Sequence, residues 1–159
     1  MVTTEKTVRT RPGSKTGQTN EFTLISKLKP GGAERVRKLM AGGFTGERQK
    51  NTDRIGTVHD LRFVIFDDDT RIIFASTFDG DWESYIDDFA SILPEEIDLL
   101  FHEFAGYPGI HSPDIKDWIA NQQVTAAGFY SAYPDASVKE VWKALRTKKA
   151  FDALLDTAN

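Results

Sequence analysis

Histidines and clustered charges are the side chains of this sequence best suited to chemistry. His59 lies in an alternating apolar segment, opposite Phe78 in the predicted strand register and near a predicted helix that begins at Trp82. An imidazole in such surroundings can bind haem iron or another metal, or can transfer a proton near neutral pH. The alternative is a histidine packed at the edge of the core with one hydrogen bond, and the sequence leaves both interpretations open.

Arg62 is the centre of a second group, which includes Asp60, Thr77 and Asp79. In the predicted register these side chains share the polar end of the sheet face that points away from the helices. A guanidinium group there can hold a carboxylate-bearing ligand through two parallel hydrogen bonds. A salt bridge at the interface between two copies of the chain would account for the same pattern.

His102 is a second histidine with carboxylate neighbours. It follows Asp98 by four residues and precedes Glu103 in a predicted helix. Such a residue is a candidate axial ligand of haem or ligand of another metal, and the alternative is a half-exposed histidine on a helix side. The sequence contains neither H-E-x-x-H nor the spacing of a calcium loop, and acidic runs such as 67–69 are typical of turns. No metal site is therefore predicted.

Several familiar kinds of site are excluded. The 159 residues contain no cysteine, which removes thiol nucleophiles, disulfides and cysteine zinc sites. The sequence has no G-x-G-x-x-G, no P-loop and no G-x-S-x-G, so nucleotide binding and serine hydrolysis have no support. No catalytic residue can be assigned on these grounds.

Composition narrows the class of protein. The net charge of −4 predicts no general attraction to nucleic acid or to anionic membranes. No apolar run approaches the about 20 residues of a membrane span, and no secretion signal is recognised, so we expect a cytoplasmic protein. Residues 1–20 are polar and predict a flexible tail, in which a basic arm for an acidic partner is a weaker alternative. Residues 21–159 then form a single domain.

Hydrophobic periodicity orders the first elements. Alternation over 21–28 predicts a strand that the Pro-Gly-Gly sequence at 30–32 ends, and apolar residues at helical spacing over 36–40 predict a short helix. Residues 44–56 are predicted to form a long polar loop.

A β-hairpin over 57–80 is the clearest local signal. With Asp68-Asp69 as its turn, Phe66 faces Arg71, and the same register sets Phe63 against Phe74 and His59 against Phe78. One face of the hairpin is then strongly apolar and should pack against helices; it carries His59, Leu61, Phe63, Ile65, Ile72, Phe74 and Phe78.

Helical patterns dominate the second half of the chain. Apolar stripes predict helices over 82–93 and 94–104, and Ser112 is expected to cap a third helix. Residues 125–133 (TAAGFYSAY) predict the last core strand. Ser137 and Glu140 form a capping box that opens a C-terminal helix, for which a buried side and a break near Thr147 are expected.

These elements predict an α+β fold of the ferredoxin-like β-α-β-β-α-β plan: an antiparallel sheet with helices on one face, extra helices between the hairpin and the last strand, and a C-terminal helix. Over residues 21–135 the pattern resembles the dimeric α+β barrel superfamily. The resemblance rests on the first strand with its Pro-Gly-Gly end, on the hairpin and on the stretch at 125–133, and involves no diagnostic catalytic motif.

The resemblance implies a homodimer that packs two sheet faces together, with a pocket between sheet and helices or inside the barrel. It also implies an oxidoreductase of the peroxidase or monooxygenase type that binds haem or a small aromatic ligand. The alternative is a non-catalytic ligand-binding or accessory dimer. The ligand-binding residues expected in either case are His59, Asp60, Arg62, Phe78, Asp79, Trp82 and His102.

Overall fold

The computed structural model describes residues 13–157 as an α+β structure with a five-stranded antiparallel sheet. The strands are β1 (Lys15–Thr16), β2 (Thr19–Lys27), β3 (Val58–Phe66), β4 (Arg71–Asp79) and β5 (Gln123–Val124). The helices are α1 (Gly32–Met40), α2 (Gly46–Asp53), α3 (Trp82–Ile92), α4 (Pro94–Phe101), α5 (Ile115–Gln122) and α6 (Val138–Asp156).

The predicted hairpin register is confirmed over most of its length. Phe66 pairs with Arg71 and Phe63 pairs with Phe74. The connection is tight because Asp67, Asp68 and Asp69 all adopt left-handed backbone conformations, with φ of 58°, 49° and 64°. Asp tolerates this conformation better than most L-residues, because its short side chain can hydrogen-bond locally.

The predicted pairing of His59 with Phe78 is wrong. Val58 pairs with Phe78 and Asp60 pairs with Thr77, so His59 is the extra residue of a β-bulge. A bulge leaves one residue unpaired and re-aims its side chain, which removes His59 from the apolar face on which the alternation placed it.

The core fills the space between one face of the sheet and the helices. Phe22 and Leu24 of β2, with Ile72, Phe74 and Phe78 of β4, are at most 4% exposed. They pack against apolar residues of α1, α3, α4 and α5, as the alternation predicted. The opposite sheet face includes Thr23, Ile25, Asp60, Arg62, Val64, Ile73 and Thr77, and it is only partly covered.

Two segments are more regular than the sequence indicated. Within the predicted tail, residues 1–12 lie outside the described residues, but Thr16 pairs with Thr19 across a turn at Gly17, whose φ is 61°. Within the predicted loop over 44–56, residues 46–53 form α2. This helix has no buried residue, so hydrophobic periodicity could not reveal it.

The predicted strand over 125–133 is wrong. In this part of the chain only Gln123 and Val124, just before the predicted strand, pair with β2. Tyr130 and Tyr133 are strongly exposed. The buried Glu21 carboxylate instead accepts a hydrogen bond from the Ala126 backbone N–H at 2.8 Å. A side chain therefore supplies the partner that a ladder would have supplied.

The C-terminal helix differs from expectation in two ways. The Ser137–Glu140 capping box is confirmed, but α6 runs without a break past Thr147 to Asp156. Val138 is its only buried residue and Val141 and Trp142 are half-buried, so the expected buried side is confirmed at the start of the helix and is wrong from Leu145 onward. The third predicted helix, α5, begins at Ile115 after Asp114 and not at Ser112-Pro113.

The strand order is β1-β2-β4-β3, and β5 pairs with β2 further along the same edge that β1 occupies. This arrangement is compatible with a ferredoxin-like fold but is not a simple β-α-β-β-α-β unit, because β1 is added and β5 is reduced to two residues. Over residues 13–157, none of the helices has the length and apolar character needed to span a membrane.

Candidate functional site

His59 and Asp79 form one contact at the start of α6. His59 Nε2 lies 2.7 Å from Asp79 Oδ1, and Asp79 Oδ2 accepts a hydrogen bond from the Val138 backbone N–H at 2.7 Å. The Asp79 side chain is 10% exposed and that of His59 is 23% exposed. The pair therefore anchors the first turn of α6 to the end of the sheet, where the helix has unpaired N–H groups.

Asp60, Arg62 and Thr77 form a separate cluster on the open sheet face. Arg62 donates to Asp60 Oδ1 at 3.1 Å, and the Thr77 hydroxyl donates to Asp60 Oδ2. The sequence grouped Asp79 with these residues, but its carboxylate is engaged with His59 and α6. Both members of the ion pair are more than half exposed, so the pair contributes little to stability.

Phe78 and Trp82 are held by packing and hydrogen bonding. The Phe78 ring stacks on Tyr85 with 4.0 Å between centroids, and Phe78 is 1% exposed. The Trp82 indole N–H donates to Gln123 Oε1 at 2.7 Å, which ties α3 to β5. These contacts account for both residues in structural terms.

His102 follows α4 and is exposed. It lines an open surface groove between α1 and α4, together with Arg35 and Glu103. Arg35 donates to Glu103 Oε2 from two nitrogens, at 2.9 and 2.6 Å, and these hydrogen bonds lower the pKa of Glu103. His59 and His102 thus lie at different places, and neither lines the buried voids described next.

A void of about 30 Å³ lies between the sheet and the helices. Its walls are apolar and aromatic and come from β2, β4, α3, α4, α5 and the segment between the last two helices: Phe22, Leu24, Phe74, Tyr85, Ile86, Phe89, Ile97, Phe101, Tyr107, Ile110, Ile115 and Ile119. Protein cores contain few voids larger than a water molecule, and apolar ones stay dry.

A second void, of about 60 Å³, adjoins the first. Phe74, Phe89 and Ile97 line both. The second void reaches α2, whose Arg48, Asn51 and Thr52 line it on the outer side.

Polar contacts hold α2 in place. The Asn51 side chain donates to Glu96 Oε1 of α4 at 2.9 Å, and Arg48 donates to the backbone carbonyls of Leu39 and Gly43. Because α2 buries none of its own side chains, moving it exposes little apolar surface of the helix itself.

Two tyrosines that line the first void have their hydroxyls in hydrogen bonds with other residues, away from the void. The Tyr85 hydroxyl forms a hydrogen bond with the buried Ser76 hydroxyl, and burial raises the pKa of Tyr85 far above its ordinary value. The Tyr107 hydroxyl donates to Asp98 Oδ1 at 2.8 Å, and burial together with this bond raises the pKa of Tyr107 as well. Both hydroxyls stay protonated at neutral pH.

The sequence predicted most of these wall residues as apolar faces of separate strands and helices, and no local signal showed that they enclose a void. In the part of the chain that the structure describes, no three His, Asp or Glu side chains converge in a way that could hold a metal ion. Comparison of the chain with protein-family models, curated proteins and solved structures found no match.

Proposed function

We propose that this protein is a non-catalytic binding protein whose ligand is a compact apolar molecule, such as one aromatic ring with short substituents. The observation that carries the proposal is the pair of adjoining apolar voids that share Phe74, Phe89 and Ile97. A core that served stability alone would gain by filling this space, because each unfilled void forfeits packing contacts.

The size of the voids sets the mechanism of entry. Each is smaller than the about 150 Å³ of an engineered apolar cavity that binds benzene, and the two together also fall short of it, so a ring must merge the voids and push their walls apart. A change of side-chain conformation at Ile97 joins them, and a small outward movement of α2 opens a path from solvent. The ligand then lies between the sheet and the α3–α4 pair.

The chemistry of the walls favours binding over catalysis. The two tyrosine hydroxyls are held protonated and are already hydrogen-bonded, Tyr107 to Asp98 and Tyr85 to Ser76, so they cannot act as bases near neutral pH. Arg48, Asn51 and Glu96 lie at the α2 side of the second void, where a polar substituent of the ligand would meet solvent. An apolar site with few polar groups is the usual form of a small-molecule pocket.

The proposal includes a homodimer through the open sheet face, as in the dimeric α+β barrel superfamily with its ferredoxin-like subunits. Ile25 and Ile73 form an apolar middle on this face and pair directly. Asp60 lies toward the end of the sheet away from the hairpin turn, where Arg62 balances its charge. A two-fold axis through the middle would set the Ile25–Ile73 patches of the two copies against each other, which favours self-association.

Ligand titration of two α4 variants tests the binding site. Ile97→Phe fills the space between the voids and should abolish binding of small probes such as indole, whereas Leu99→Phe, on the exposed side of the same helix, should bind as the wild type does. Binding is measured as a ligand-dependent rise in unfolding temperature. Equal affinity in both variants would place the ligand elsewhere and overturn the proposal.

Oxidoreductase activity with haem stays a prediction of the family resemblance. Visible spectra during haem titration, with His59→Ala and His102→Ala alongside, test it in the same samples. A saturable Soret band that one substitution removes would replace the non-catalytic proposal with a haem protein. Spectra that match those of a control protein would leave the apolar ligand as the only candidate.

A further inference from the structure

Strand β3 is long and lies at a free edge of the sheet. It has nine residues, and within residues 13–157 β4 is the only strand that pairs with it. The opposite edge, on β2, is partly covered by β1 and β5. An exposed edge strand presents unpaired N–H and C=O groups that can pair with another strand, and β3 contains neither the proline nor the lysine that commonly blunt such an edge.

The hairpin register shows which main-chain groups of β3 face the edge. The Asp79 N–H donates to the Thr57 carbonyl, so the odd-numbered residues of β4 direct their main-chain groups toward β3. Their partners in β3 are the even-numbered residues from Asp60 to Phe66. The odd-numbered residues between them therefore direct their N–H and C=O groups to the free edge: Leu61, Phe63 and Ile65.

The side chains of these three residues lie on the helix side of the sheet, where the core is incomplete. All three are only half-buried, whereas Ile72 and Phe74 of the neighbouring β4 are at most 4% exposed. A groove runs along the edge beside them, and its other wall comes from α1 and the loop that follows: Val36, Arg37, Met40, Gly43 and Phe44. A strand added to β3 would place its own alternate side chains in this groove.

The three outward-facing residues match their counterparts in a second copy. A two-fold axis at Phe63, perpendicular to the sheet, sets two β3 strands antiparallel and pairs Leu61 of each copy with Ile65 of the other. Each of the three pairs exchanges two hydrogen bonds, about six in all. Moving the axis by one residue leaves an outward-facing residue of each copy without a regular partner, and an axis at Arg62 would also set two like charges directly opposite.

The other face of the same ladder brings no uncompensated charge together. Arg62 lies opposite Val64 of the second copy, and Asp60 stays paired with Arg62 of its own chain at 3.1 Å. The bulge at His59 ends the regular ladder on one side, and the hairpin turn ends it after Phe66 on the other. The contact is thus limited to residues 60–66 and uses the free edge of both copies, so it closes as a dimer and does not extend into a fibre.

We propose that β3 pairs with β3 of a second copy of this chain, so that the two sheets become one continuous antiparallel sheet. The contact is isologous, because both copies use the same residues. An extended segment of another protein would have to supply a matching strand, whereas β3 supplies its own. The contact lies at the rim of the sheet and is therefore separate from the sheet-face dimer and from the ligand site of the proposed function.

Amide hydrogen exchange measured by NMR tests the strand pairing. The variant Ile25→Gln is the background, because it replaces the apolar middle of the sheet face with a neutral polar group. The outward N–H groups of residues 61, 63 and 65 should exchange slowly where light scattering gives a dimer, and at least about tenfold faster after dilution to monomer. The N–H groups of Arg62 and Val64, which face β4, should exchange slowly in both states.

Two results of this measurement would overturn the proposal. Fast exchange of the three outward N–H groups at every concentration would show that the edge stays free. Equally slow exchange in the monomer would show that a segment of the same chain covers the edge.

Two substitutions at Val64 test the register in the same background. Val64 is 42% exposed and lies opposite Arg62 of the second copy, at two symmetric places. Val64→Glu sets a carboxylate opposite Arg62, and Val64→Lys sets an ammonium group there. The Val64→Lys dimer should therefore dissociate at least about fivefold more readily than the Val64→Glu dimer. Equal dissociation constants for the two variants, or a background protein that is monomeric at every concentration, would refute the proposal.

Discussion

The buried hydroxyl pair of Tyr85 and Ser76 gives the sharpest prediction about the wall of the proposed binding site. Tyr85 is 1% exposed and Ser76 is 4% exposed, and their hydroxyl groups form a hydrogen bond with each other. Tyr85→Phe leaves the Ser76 hydroxyl buried without a partner, and Ser76→Ala does the same to the Tyr85 hydroxyl. The double variant removes both groups together.

The expected free energies follow because removing one partner of a buried hydrogen bond costs more than removing both partners. Each single substitution should lower the free energy of unfolding by about 1–3 kcal/mol, because it strands a buried polar group. The double variant loses only the net contribution of one hydrogen bond, about 1 kcal/mol. Its loss of stability should therefore be well below the sum of the two single losses. For a domain of this size each kcal/mol lowers the unfolding temperature by about 2–4 °C.

Urea unfolding of the four proteins in this cycle measures the coupling. The slopes of the free energy against urea concentration should agree, so that midpoints report stability alone. If the loss in the double variant equals the sum of the two single losses, the hydroxyls are satisfied independently and the reasoning fails.

Two further predictions concern the hairpin turn and the α1–α4 groove. Asp68→Gly should raise the free energy of unfolding by up to about 1 kcal/mol, because left-handed backbone costs L-residues ~1–2 kcal/mol and the greater freedom of unfolded glycine offsets part of the gain. Urea unfolding measures this change beside the control Asp68→Ala, which should not stabilise the protein. Equal changes in the two variants would contradict the prediction. The hydrogen bond from Arg35 is the main cause of the lowered pKa of Glu103. The ionised Glu103 carboxylate therefore stabilises the fold above the ordinary glutamate pKa of about 4.3, and this stabilisation is lost as pH falls through the lower folded-state pKa. Glu103→Gln should therefore flatten the acid limb of the stability profile relative to wild type and to the exposed control Glu34→Gln, and parallel acid limbs in all three would refute the assignment.

Local pattern predicted the hairpin and the core-facing side of the sheet because both depend on neighbours in sequence. Phe63 and Phe74 pair as expected, since the turn between them fixes register. The bulge at His59 breaks that register four residues further along, and no property of the sequence there distinguishes a bulge from a regular strand. The predicted position of His59 opposite Phe78 is thus wrong, and the sequence leaves its role open between a ligand or proton-transfer group and a histidine with one hydrogen bond at the edge of the core.

Long-range hydrogen bonds account for the other differences. The stretch around Phe129 and Tyr130 has strand propensity, but the Ala126 N–H donates to the Glu21 carboxylate of β2 instead of to a strand carbonyl. The Pro134 carbonyl accepts from the Gln18 N–H in the turn before β2. Most residues around the two voids belong to stripes that the sequence predicts as apolar, but α2 does not. The voids depend on how side chains from eight elements meet, and pattern along the chain carries no information about that volume.

Methyl NMR of isoleucine side chains tests the proposed ligand site most directly. Ile86, Ile97, Ile110, Ile115 and Ile119 line the first void, whereas Ile25 and Ile73 lie on the open sheet face. Adding indole should shift the signals of the lining group and leave those of the sheet face unchanged. Shifts confined to Ile25 and Ile73, or no shifts at saturating ligand, would contradict a binding site between the sheet and the helices.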